Sequence, residues 1–111
     1  MVDIDLDDFI NYIYVEKKLS NNTKDTYYYT LNQFRRFMDE KRKIIDLKKV
    51  TKEDVKYYIK QQASNLKPKT IAHHLTVIKS FYKYLLRENL IKTNPTDNID
   101  YLKCLKFFLK C

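Results

Sequence analysis

Apolar residues recur at spacings of three and four along most of this chain. Over residues 5–18 the set Leu6, Phe9, Ile10 and Ile13, joined by Tyr14, falls on one side of a helical wheel, while Asp7, Asp8, Asn11, Lys17 and Lys18 fall elsewhere. That spacing predicts an amphipathic helix with acids in its first turn, where they oppose the helix dipole favourably. Leu19, Ser20, Asn21 and Asn22 break the pattern, and Ser20 or an Asn is available to cap a second helix over residues 22–42. There Tyr27, Leu31, Phe34 and Met38 share a stripe. A turn of about 100° per residue directs Tyr28, Asn32, Arg35 and Arg36 toward solvent.

Ile44, Ile45, Leu47 and Val50 form a short connection expected to tuck beneath the helices. Thr51 followed by Asp54 has the form of a capping box, with Asp in place of the preferred Glu, and opens a third helix to about Ala63. Val55, Tyr58 and Ile59, with Gln62 at the edge, supply its inner face. Asn65 to Pro68 reads as a loop, and Pro68 sits where a helix tolerates proline, in the first turn. The fourth helix, residues 68–89, is the longest: Ile71, Leu75, Ile78, Tyr82 and Leu85 lie within about 80° of one another. Asn94-Pro95 stops regular structure, and residues 93–100 read as a linker leaving the domain. Tyr101 to Cys111 is an apolar, lysine-punctuated tail holding Phe107, Phe108 and Leu109. Either its continuation or another molecule covers it, or it folds back as a fifth short helix.

Composition narrows the class. A chain of 111 residues, 44% hydrophobic, has the size of one domain and can bury one modest core. It contains no Gly and only Pro68 and Pro95, which disfavours hairpins, bulges, phosphate-cradling loops and dinucleotide sites. An all-α fold is therefore expected. The net charge of +8 is uneven: residues 1–16 hold Asp3, Asp5, Asp7, Asp8 and Glu16 and no base, so all 22 Lys and Arg residues lie beyond them among only nine acids. An excess of that size creates a positive field that attracts polyanions, nucleic acid first, with an anionic membrane surface or an acidic protein as competitors. The acidic N-terminus does not resemble a signal peptide and no apolar run approaches the ~20 residues of a membrane span, so a cytoplasmic protein is expected. Cys104 and Cys111 are confined to the tail and are expected to be thiols, with neither a structural disulfide nor a metal site.

The residues that could carry chemistry gather on two helices. On the fourth, the side opposite the core collects Lys69, Ala72, Thr76, Lys79, Ser80, Lys83 and Arg87 within roughly 110°. Such a stripe can lie along DNA, because Lys and Arg reach phosphates while small residues allow close approach. The second helix adds Lys24, Tyr28, Asn32, Arg35 and Arg36. His73 and His74 are adjacent and point about 100° apart, so they cannot share a metal. His74 falls at the edge of the apolar face, and His73 faces outward, where it could contact a phosphate or a base. Of the ten tyrosines, Tyr14, Tyr27, Tyr58 and Tyr82 are accounted for by core periodicity. None has a visible set of cationic or His partners, and the carboxylates are scattered, so no catalytic constellation, cofactor or small-molecule substrate is expected.

Residues from the first helix to Pro95 resemble the N-terminal, SAM-like core-binding domain of tyrosine recombinases and phage integrases, the group that includes the Xer proteins. The resemblance is carried by Leu19-Ser20-Asn21-Asn22-Thr23 followed by Tyr27, Leu31, Phe34 and Phe37, then Asp46-Leu47 and Val50-Thr51-Lys52-Glu53-Asp54-Val55. It continues through Lys67-Pro68-Lys69-Thr70-Ile71 with Leu75, Ile78, Lys79, Phe81, Tyr82 and Leu85, and ends at Asn94-Pro95. The resemblance implies a four-helix orthogonal bundle over residues 1–92 that forms one jaw of a clamp around double-stranded DNA, followed by a linker and tail over 93–111. It also implies DNA contacts from Asn22, Thr23 and Lys24 and from Lys67, Lys69, Thr70, His73, Thr76 and Lys79, to which the helical stripes add Tyr28, Arg35 and Lys83. In the family, a tyrosine of a second, larger domain cuts DNA. That domain is absent here, so this chain is not expected to be an enzyme. The competing expectation is self-association, or docking on a recombinase, through residues 101–111 together with exposed Val77 and Tyr84.

Overall fold

A computed structural model of the chain describes residues 2–97 and 99. Four α-helices, α1 (Val2–Glu16), α2 (Asn21–Arg42), α3 (Lys52–Ala63) and α4 (Pro68–Arg87), follow one another, with a 3-10 turn at Leu47–Lys49. No strand occurs among the described residues, and the all-α class is as expected. The chain divides into two compact units, Met1–Leu47 and Lys48–Cys111.

In the first unit α1 packs on α2. Leu6, Phe9, Ile10 and Ile13 are buried, as their spacing requires. Tyr14, expected among them, is instead 37% exposed, because it lies at the end of the apolar arc and turns toward the start of α2. Helix α1 ends two residues earlier than expected, and the chain reverses through Lys18 in the left-handed conformation at φ 50°. Ser20 then caps α2: its side chain accepts the Thr23 N–H at 3.2 Å and donates to Thr23 Oγ1 at 3.0 Å. Thr30, Leu31, Phe34 and Met38 are the buried residues of α2, whereas Tyr27 is only half-buried. The stripe is thus centred nearer Phe34 than the pattern of large residues suggests, and the small Thr30 completes it.

Helix α2 stops at Lys43, whose φ of 57° is again left-handed, and the Ile44 N–H reaches back to the Met38 carbonyl at 2.9 Å. This reversal normally uses glycine, because a side chain at positive φ crowds its own backbone. Among the described residues of this glycine-free chain, the left-handed positions are Lys18, Lys43 and Asn89. Of the connection that follows, Leu47 and Val50 are buried, but Ile45 is 71% exposed and does not tuck in.

In the second unit α3 packs on α4. The capping box is complete: Asp54 N–H donates to Thr51 Oγ1 at 3.3 Å, and Asp54 Oδ2 accepts from the Thr51 N–H at 3.0 Å and its hydroxyl at 2.9 Å. These bonds satisfy a carboxylate that is itself buried. Val55, Tyr58 and Ile59 are buried on α3. Lys67 adopts extended backbone, as a residue before proline must, and Pro68 starts α4. All five expected inner residues of α4 are buried, joined by His74, Val77 and Phe81. Val77 is fully buried at 0% exposure, so it cannot serve the exposed interaction surface expected of it. Phe81 meets Tyr82 edge-on, with ring centroids 5.1 Å apart. Beyond Arg87, Leu90 N–H bonds the Leu85 carbonyl at 2.9 Å, and Asn94 Oδ1 accepts the Thr96 N–H at 2.8 Å and its hydroxyl at 2.6 Å. Pro95, Thr96 and Ile99 are buried in these turns. Residues 101–111, with Cys104, Cys111 and the fifth short helix considered as an alternative for them, lie outside the described residues.

His74 is 8% exposed, and its Nδ1 has no hydrogen-bond partner. Burial first, and the charge of neighbouring His73 second, hold its pKa below the ordinary 6.5. The unfolded chain therefore binds a proton that the folded chain refuses. Stability contributed by neutral His74 is fully present above pH 6.5 and is lost as pH falls below it toward the depressed folded value. Thermal unfolding followed by circular dichroism should give a midpoint that falls between pH 7 and 5, and His74→Leu should remove part of that fall; an identical pH profile in the variant would refute the assignment. Lys43→Gly should raise stability by about 1 kcal/mol, read from urea unfolding, by relieving the left-handed lysine.

Candidate functional site

The basic row of α4 is a consequence of what that helix buries. Its eight buried residues cover an arc of about 160°, leaving a sector on the far side for everything polar. In that sector Lys69, Thr76, Lys83 and Arg87 are exposed, while Ala72, Lys79 and Ser80 are half-buried. From Lys69 to Lys83 the row runs about 21 Å along the helix. His73 is exposed and borders the row beside Lys69. Thr70 is exposed but lies about 100° from Lys69, off the row. Thr76 is less available than its position suggests: its hydroxyl donates to the Ala72 carbonyl at 3.0 Å, which leaves only acceptor capacity outward. Such a group can receive an N–H from a base but gives nothing to a phosphate. At the start of α4 no side chain caps the helix, so the N–H groups of the first turn open beside Lys67 and Lys69, where anions are favoured.

On α2 the structure brings Lys24, Tyr28, Asn32 and Arg35 into one row about 80° wide. Its members are held by one another. Asn32 Nδ2 donates to the Tyr28 carbonyl at 3.1 Å, and its Oδ1 accepts from Arg35 Nε at 3.3 Å and Nη2 at 3.0 Å. The guanidinium is thereby oriented before any ligand arrives. Tyr28 remains 41% exposed, and Arg36 is exposed further round the helix. Asn22 and Thr23 do not join this row. Asn22 is exposed about 160° from Lys24, and Thr23 is engaged with Ser20 in the helix cap.

One participant lies outside the expected set. Tyr14, which periodicity places in the core, donates its hydroxyl to Asn21 Oδ1 at 3.3 Å and sets its ring 4.7 Å below Lys24 Nζ. The signal that could have found it is its position at the rim of the α1 stripe, seven residues before Asn21. Beside it a groove of about 310 Å³ between α1 and α2 is lined by Asp7, Ile10, Asn11, Lys24, Asp25 and Tyr28. Part of the acidic N-terminal segment is thus set next to a lysine of the α2 row.

The α2 row belongs to the first compact unit and the α4 row to the second. Among the described residues, no group of three or more His, Cys, Asp or Glu side chains is placed to hold a metal, and no helix is long and apolar enough to cross a membrane. Tyr58 and Tyr82 are buried and so cannot attack an external substrate.

A family model described as phage integrase, N-terminal SAM-like domain matches residues 6–89. Tyrosine recombinase XerC of Listeria innocua is 34% identical over 96 residues, which are 86% of this chain and 32% of the relative. XerC of Leptospira interrogans is 31% identical over 100 residues, 88% of this chain and 32% of the relative. Tyrosine recombinase XerD of Oceanobacillus iheyensis is 27% identical over 103 residues, 90% of this chain and 34% of the relative. The chain spans about a third of the length of these curated relatives. No solved structure matches it.

Proposed function

The chain belongs to the phage integrase N-terminal SAM-like domain family, and from that premise we propose that it is the double-stranded-DNA-gripping module of a tyrosine recombinase that works in the cytoplasm. The observation that carries the reading is the α4 row: Lys69, Lys79, Lys83 and Arg87 project from one side of a helix whose other side is buried. A buried face fixes the direction of the basic one. Lysine and arginine on it neutralise phosphates and release counterions, which supplies affinity without reading sequence. Lys67 and the uncapped first turn of α4 extend the same anion-binding surface, with His73 at its border.

Base readout is a smaller part of this proposal. Thr76 Oγ1 can accept from an amino group on a base edge, and the half-buried Ala72 and Ser80 let the helix approach closely. On α2, Arg35 and Lys24 are phosphate contacts, and Tyr28 offers an exposed ring edge and hydroxyl. Asn22, Thr23 and Thr70 are proposed as peripheral contacts, since each stands off the rows. Strand cleavage is not assigned to these residues. Within this reading residues 1–92 form the module and 93–111 lead out of it.

The test is fluorescence anisotropy of a labelled duplex of about 30 base pairs, titrated at several salt concentrations. Neutralisation of five phosphates gives a slope of log affinity against log salt near about −4.5. Replacing Lys69, Lys79 and Lys83 with Ala should make that slope shallower by as much as about 2.7. An unchanged slope would remove the α4 row from the interface. Salt-tolerant self-association that depends on Phe107, Phe108 and Leu109 would favour the tail-mediated reading instead.

A further inference from the structure

We infer that Tyr14 of α1 is a positioning residue for Lys24, holding its ammonium where it can meet a DNA phosphate; the inference rests on the DNA-gripping reading above. Three observations meet at this residue. Tyr14 leaves the buried face of its own helix and stands 37% exposed. Its hydroxyl donates to Asn21 Oδ1, in the first turn of α2. Its ring lies 4.7 Å from Lys24 Nζ, within the range of cation–π attraction. One side chain of α1 therefore touches two residues at the beginning of α2.

The groove explains why such a hold matters. Lys24 shares it with the carboxylates of Asp7 and Asp25. A lysine stem has free rotation about four bonds, and an unrestrained ammonium would swing to those acids and be neutralised by the protein itself. The aromatic face offers a competing position that attracts the cation without neutralising it. The ammonium keeps N–H donors on the side away from the ring, and these remain available to a phosphate oxygen. Restraining the stem beforehand also removes part of the ordering cost paid on binding.

The experiment is the same duplex titration with Tyr14→Leu, Tyr14→Phe, Lys24→Ala and the double variant Tyr14→Leu/Lys24→Ala. Loss of the ring should weaken binding about two- to five-fold and make the salt slope shallower by up to about 0.9, one phosphate's worth. Tyr14→Phe, which retains the ring, should stay within about two-fold of the unaltered chain, and Tyr14→Leu should have no further effect once Lys24 is gone. Asp25→Asn in the Tyr14→Leu background should restore affinity by removing a competing carboxylate. A role confined to packing α1 on α2 would move the thermal midpoint and leave the salt slope alone, which would overturn the inference. It is equally overturned if the losses from Tyr14→Leu and Lys24→Ala multiply independently, or if Tyr14→Leu binds normally while the α4 lysine variants do not. Failure of the unaltered chain to bind DNA would overturn the DNA-gripping reading itself, and this inference with it.

Discussion

Burial of α4 is the constraint from which the candidate site follows. Eight side chains of this one helix, from Ile71 to Leu85, leave water together, each full burial of a large apolar residue being worth about 1.5–3 kcal/mol. No rotation of the helix about its axis could be tolerated against that sum. The lysines on the opposite sector are therefore held in direction by apolar packing rather than by contacts of their own. A long, flexible side chain becomes a usable phosphate ligand when its Cα is immobile, and here immobility comes from the far side of the helix.

Helix boundaries in this chain obey a second constraint, the lack of glycine. Serine, threonine and proline begin α2, α3 and α4 at Ser20, Thr51 and Pro68, and these are the residues that suit helix starts. The ends are less favourable. Left-handed backbone at Lys18, Lys43 and Asn89 carries a strain that glycine would avoid. At two of these three positions the residue is lysine, which adds positive charge near the negative end of a helix dipole and so recovers part of the cost. Charge and backbone geometry act together at those corners.

The two polar rows differ in how they are prepared for a ligand. On α4 the basic groups are spaced along the helix and depend on the core beneath them. On α2 the groups are tied sideways: Asn32 links the Tyr28 carbonyl to the Arg35 guanidinium, and Tyr14 reaches from α1 to Lys24 and Asn21. Small polar side chains between charged ones are easily passed over as solvated filler. Here they set where the charges stand, which is the difference between a basic helix and a preorganised one.

Much of the fold is legible in the order of residues. Helical periodicity identifies the four helices of the described residues, and Ser20, Thr51 and Pro68 mark three of their starts, because capping and apolar spacing are local and need no partner to be recognised. The α4 lysines are legible for the same reason. Periodicity misjudges residues at the rim of a stripe. It puts Tyr14 too deep and Val77 too shallow, since a helical wheel reports direction and not how far neighbouring elements reach round. Family resemblance joins Asn22 and Thr23 to Lys24 at the start of the second helix, yet consecutive helical residues diverge by about 100°. Local rules of spacing and capping thus suffice for the helices, their starts and the side of α4 left to basic residues. Packing in three dimensions sets the remainder: the Tyr14 ring of α1 beneath Lys24 of α2, its hydroxyl on Asn21, and the depth at which Tyr14 and Val77 sit. Each of these depends on distances between separate elements that no spacing rule contains, whereas Asn32 with Arg35 and Thr76 with Ala72 are pairs three and four apart on one helix.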